Sequence, residues 1–102
     1  MATREQIAKL RDTRVKTHLN QYAPVWITDE VFIPEDDALQ FQAIFQHNLY
    51  GWVNRRYRYD GFNDVLYHKG QTLLSEDKGL EIQEQEPYMT VTVDDIPNSY
   101  GG

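Results

Sequence analysis

Apolar residues recur along this chain with two different periods, and the change of period marks its elements. Thr3-Arg4-Glu5-Gln6 has the spacing of a capping box, in which the Thr3 hydroxyl and the Gln6 side chain satisfy free backbone donors at a helix start. The pattern predicts a helix over about residues 4–20. On a 3.6-residue wheel Ile7, Ala8, Val15, Leu19 and Tyr22 share a face, with Leu10 at its margin and Lys9, Asp12, Thr13 and Lys16 opposite. That narrow stripe makes it a surface helix. Pro24 ends the run. Val25-Trp26-Ile27 and Val31-Phe32-Ile33 are β-prone, forming one bent strand or two pieces joined by a turn at Thr28-Asp29-Glu30. Pro34 followed by Glu35-Asp36-Asp37 is a helix-start signal, since proline suits the first turn and carboxylates there complement the dipole. Ala38, Phe41, Phe45 and Leu49 follow at helical spacing, with Ile44 beside them and Gln40, Gln42 and Gln46 facing away. These residues predict a second helix closed by Gly51.

From Trp52 to His68 the chain reads WVNRRYRYDGFNDVLYH, in which β-branched and aromatic residues flank an Asp60-Gly61 turn. This predicts a β-hairpin. A two-residue loop would set Tyr59 opposite Phe62, and a longer one Tyr57 opposite Tyr67. Ser75-Glu76-Asp77 reads as a cap with an acidic first turn, so a short helix follows, although Gly79 costs ~1 kcal/mol there. Tyr88 to Val93 alternates as a strand, with Met89, Val91 and Val93 inward. The expected class is α+β: a mostly antiparallel sheet of three or four strands with two main helices on one face, in the order helix, strand, helix, strand, strand, short helix, strand. Residues 1–93 would be a single domain and 94–102 a mobile tail.

Composition narrows the function classes. With 102 residues the chain has room for one core, and its seven Tyr, four Phe and two Trp argue against disorder. Leu, Ile and Val are sparse, which favours assembly with a partner or a second copy. The absence of cysteine removes disulfides, thiolate nucleophiles and cysteine-based metal sites. MATREQIAKLRDTRVK has no apolar core of signal-peptide length, and no stretch approaches the roughly 18 apolar residues of a membrane span, so a soluble cytoplasmic protein is expected. The net charge of -6 falls in blocks: +3 over residues 1–20, -5 over 21–50, +2 over 51–70 and -6 over 71–102. Such blocks suit segments that pack against each other or subunits that pair. An acidic chain repels nucleic acid at long range, so any such binding would be local to a basic block.

The hairpin is the candidate surface. Trp52, Arg55, Arg56, Tyr57, Arg58, Tyr59, Tyr67 and His68 combine planar rings with guanidinium groups, the chemistry of recognition surfaces. The structural alternative has the strand bury alternate rings while its arginines pair with Asp60, Asp64 or the acidic C-terminal third. Because side chains alternate, about half of these residues can share an exposed face. His18, His47 and His68 show no metal-ligand spacing, and neither Glu35-Asp36-Asp37 nor Asp94-Asp95 has the spacing of a calcium loop, so no metal and no cofactor is expected. His68 with Asp64 is the one pair suited to proton transfer, but no nucleophile stands ready to be activated. Gly101-Gly102 resembles the di-glycine ends of ubiquitin-like modifiers and sulfur carriers, which implies adenylation of the terminal carboxylate by a partner enzyme; the front half departs from that family's pattern.

These observations point to a small non-catalytic module that binds another protein or a second copy of itself through the arginine–aromatic hairpin. Single-stranded nucleic-acid binding by the same residues is the alternative, and a small enzyme around His68 and Asp64 the third.

Overall fold

The computed structural model describes residues 2–90. It is an α+β fold: helix α1 (Arg4–His18), strand β1 (Trp26–Ile33), a single 3-10 turn (Pro34–Asp36), strands β2 (Ala38–His47), β3 (Gly51–Asp60) and β4 (Val65–Leu73), and helix α2 (Glu76–Gln83). The strands form one antiparallel sheet in the order β1-β2-β3-β4, so every connection inside it is a hairpin or a short turn.

Helix α1 forms where its cap places it. Thr3 Oγ1 accepts from the Gln6 N–H at 3.2 Å, and Gln6 Oε1 accepts from the Thr3 N–H at 2.8 Å. Its buried stripe is Ile7, Arg11 and Val15, spaced by four. Strand β1 is one bent strand. Its register against β2 shifts between Thr28 and Val31, where Asp29 adopts a left-handed φ of 53°. Glu30, inside that bulge, reaches α1 and accepts from Arg4 and Arg11.

Residues 38–47 are strand, which corrects the helix expected there. Proline and the carboxylates do start helical structure, but Asp37 turns left-handed (φ 46°, ψ 43°) and stops it after one 3-10 turn. The positions Phe41 and Phe45 fit both a four-residue helical repeat and a two-residue strand repeat, and the sheet decides. Leu39, Phe41, Ala43 and Phe45 are buried on one face. Ile44 lies on the other, beneath α2. Leu49, expected on the helical stripe, is 78% exposed in the β2–β3 turn. There His47 Nδ1 accepts from the N–H groups of Leu49 (3.0 Å) and Tyr50 (3.4 Å). Gly51 (φ 75°) opens β3 instead of closing a helix.

The β3–β4 hairpin has neither register expected for it. Four residues, Gly61 to Asp64, separate the Asp60–Val65 pair; Tyr59 opposes Leu66, Arg58 opposes Tyr67 and Tyr57 opposes His68. Asp60 organises the turn by accepting from the N–H groups of Phe62 (2.9 Å) and Asn63 (3.3 Å), and Asp64 closes it in a left-handed conformation (φ 56°).

The main core lies between α1 and one sheet face, built from Ile7, Val15 and Leu19 against Leu39, Phe41, Phe45, Val53, Tyr57 and Tyr59. A smaller cluster, Trp26, Ile44 and Trp52, lies on the opposite face, where Leu74 and Ile82 pack against it. The helices therefore sit on opposite faces, not together on one. Ser75 caps α2 by accepting from the Lys78 N–H (3.2 Å), and Gly79 lets the helix close on the Trp52 ring. Of the strand expected from Tyr88, Met89 pairs with Val25 through two backbone bonds (2.9 and 3.1 Å). Val91, Val93, the expected tail and Gly101-Gly102 lie outside the described residues.

Candidate partner-binding face

Alternation along β3 divides the eight residues expected at the surface. Tyr57 and Tyr59 point toward α1 and Trp52 toward α2; all three are buried, with exposures of 2%, 0% and 5%. A partner cannot use their rings, because the two hydrophobic clusters do. Arg55 also turns toward α1. It lies over the Phe45 ring, 5.1 Å from its centroid, and donates to Gln71 Oε1 (2.9 and 2.7 Å) and to the Tyr57 hydroxyl (3.1 Å). His68 is exposed on that same side, with its ring 5.8 Å from Tyr57.

Arg56, Arg58 and Tyr67 are brought together on the opposite face. This is the face that α2 covers at only one end, over Trp26, Ile44 and Trp52. At the other end the sheet is open, and a shallow depression of about 250 Å³ is lined by Val31, Gln40, Gln42, Arg56, Arg58 and Lys69. A second depression shares Arg58 and Lys69 with it and continues to Asp36, Asp60, Phe62 and Tyr67. Phe62 is 67% and Tyr67 46% exposed, so the face offers rings as well as charge.

The cations are held differently. Arg56 lies across Gly70, where a Cβ would stand 2.5 Å from its Nη2, and donates to Thr72 Oγ1 at 3.0 Å. Arg58 donates to Asp36 Oδ2 at 2.9 Å and keeps 28% of its side chain exposed. Among the described residues neither Arg56 nor Lys69 makes an ion pair. Acids ring the face. Asp29 lines the first depression, and the Asn63 side chain and turn N–H groups hold the Asp60 carboxyl below its ordinary value.

The hairpin turn is tied to α1 and to its own strand. Asp64 accepts from Arg14, with Nε at 3.0 Å, and from the Tyr59 hydroxyl at 2.6 Å. The Arg14 bond first, then the Tyr59 bond, draws its carboxyl down to about 2, while burial and then that carboxylate push the Tyr59 phenol up. Asp64 is thus a fixed anion, ill-suited as a base for His68. Burial, then Arg55 and His68, lower the His18 pKa and favour neutral imidazole. No cluster of three or more His, Cys, Asp or Glu capable of holding a metal occurs among the described residues. No helix among them is long and apolar enough to cross a membrane.

Comparison with protein-family models, with curated proteins and with solved structures yields no match. The face must be read from its own chemistry. Sequence reasoning missed Val31, Gln40, Gln42, Phe62 and Lys69. The signal for the two glutamines was present in the alternation Leu39-Gln40-Phe41-Gln42-Ala43, which puts both opposite the core once the segment is strand.

Proposed function

We propose that this protein is a non-catalytic binding module that engages another protein chain through the sheet face α2 leaves open. One observation carries the reading: a sheet face half-covered by its own helix presents Arg56, Arg58 and Lys69 beside two exposed rings. Arginine and aromatic residues are the groups that interfaces enrich. Asp29, Asp36 and Asp60 around the cations favour a protein partner of mixed charge over a polyanion. The same rings and cations favour single-stranded nucleic acid as the second reading, since stacking and phosphate pairing use these groups. A cytoplasmic setting belongs to the proposal, supported by the absence of cysteine.

Replacing Tyr67 by a photo-crosslinking amino acid, with Thr17 on the outer side of α1 as control, tests it in living cells. Discrete protein adducts at position 67 and none at 17 are expected. Adducts to nucleic acid alone, or none at 67, would overturn the proposal.

A further inference from the structure

Helix α2 is acidic on its outer side, and it shares one sheet face with a patch of mixed charge whose Arg56 and Lys69 make no ion pair among the described residues. With Gly79 and Ile82 turned to the sheet, Asp77, Leu80, Glu81 and Glu84 form the outward stripe of α2. Leu80 stands along the margin of that stripe, 50% exposed beside exposed acids. The open end of the sheet carries cations for those acids: Arg56 and Lys69, which make no ion pair among the described residues, line a depression with Val31 and Asp29 at its side.

We infer that a second copy of this chain covers the open face, in a two-fold dimer where α2 of each copy lies on the open half of the other's sheet. A two-fold axis in the plane between two facing sheets, perpendicular to the strands, reverses strand direction but keeps strand order. The covered end of one sheet then meets the open end of its partner. In each copy α2 packs over β1, β2 and β3 at Trp26, Ile44 and Trp52, so in the pair it overlies Val31, Gln40, Gln42 and Arg56. Leu80 enters the depression, and its flanking acids meet Arg56, Arg58 and Lys69. The contact is isologous, so it is made twice and closes the assembly at two copies. It also buries apolar surface that a chain lean in Leu, Ile and Val leaves exposed. This inference rests on the binding function proposed for the same face and names its partner.

Charge exchange tests it. In the full chain, Arg56→Glu with Arg58→Glu makes both contacts repulsive, and so does Glu81→Lys with Glu84→Lys; circular dichroism confirms that each variant folds. Sedimentation should show the wild-type dimer weakening with added salt. Each double variant alone should bind itself at least about tenfold more weakly, because like charges face each other. Mixed one to one, the two variants should form a heterodimer of near wild-type affinity, since both contacts become attractive again. A wild-type monomer at about 200 μM, or a mixture no tighter than either variant, would overturn the dimer. A wild-type monomer whose position 67 still captures a different protein in cells would overturn the dimer alone; the absence of any adduct would remove the binding reading as well.

Discussion

Gly79→Ala sets two known effects against each other, and the structure decides the sign. Inside an exposed helix the change would gain about 1 kcal/mol of helix propensity. Here a Cβ at Gly79 would stand 2.1 Å from Trp52 Cγ and 2.2 Å and 2.3 Å from Cδ1 and Cδ2. Ordinary contact begins near 3.4 Å, so α2 or the indole must retreat by more than 1 Å. Trp52 is poorly placed to move: the Trp26 ring lies 5.8 Å away, and Ile44 completes the cluster beside them. Overpacking costs typically 1–3 kcal/mol, and a contact this close belongs at the upper end, leaving a net loss of about 2 kcal/mol. For a chain of this size that is a fall in Tm of roughly 8–16 °C. Urea titration and thermal melts measure it. Both tryptophans of the chain, Trp26 and Trp52, lie in this cluster, so their emission should also shift to longer wavelength. A variant as stable as wild type, with unchanged emission, would refute the close docking of α2 on which the half-covered face depends.

Arg11 is fully buried, paired with Glu30 (2.6 Å) and Asp12 (2.8 Å), and stacked 4.6 Å from the Phe41 centroid. Arg11→Ala should cost about 3 kcal/mol, because it leaves Glu30 with less compensation and opens a cavity; a loss under 1 kcal/mol by urea unfolding would contradict this packing. Asp64 has a folded-state pKa near 2, below its ordinary value of 3.8, so its contribution to stability is fully present above about pH 4 and is lost as pH falls toward 2. Tyr59→Phe removes one of the bonds responsible and should move the Asp64 titration, followed by NMR, back toward 3.8; an unmoved titration would show that Tyr59 plays no part.

Much of the fold was legible because local chemistry and tertiary packing agree. The capping box of α1, the Ser75 cap of α2 and a hairpin turning after Asp60 all rest on short-range signals that the sheet reinforces, whereas the sequence left β1 open between one bent strand and two pieces. β2 was not legible, since glutamine and alanine favour helix while the burial of Leu39, Phe41, Ala43 and Phe45 between neighbouring strands outweighs that preference. Misreading β2 also hid the face, because Gln40 and Gln42 join Arg56 and Arg58 only through the β2–β3 register, which pairs Gln40 with Arg58 and Gln42 with Arg56. Lys69 arrives by another route, a bulge between Arg56 and Tyr57 that no composition rule announces. Of the eight residues expected at the surface, Arg56, Arg58 and Tyr67 reach the open face, while Arg55 and the rings of Trp52, Tyr57 and Tyr59 turn to the two clusters. Large aromatics on a central strand are what the core needs most when Leu, Ile and Val are scarce.

The charge blocks read along the chain become, in the fold, a sequence of neutralisations that stops short. The basic N-terminal block meets the acidic second block where Arg4 and Arg11 bind Glu30, and meets the hairpin turn where Arg14 binds Asp64. The second block also answers the third, through Asp36 and Arg58. The acids of α2 find no such answer from another element: the one ion pair on that helix among the described residues is internal, Lys78 with Glu81 at 3.8 Å, and exposed. An exposed pair of that kind contributes little. Among the described residues an acidic helix and two cations without an ion pair, Arg56 and Lys69, thus share one sheet face, the helix over its covered end and the cations at its open end. A second copy, turned end for end, removes both surpluses with one contact made twice.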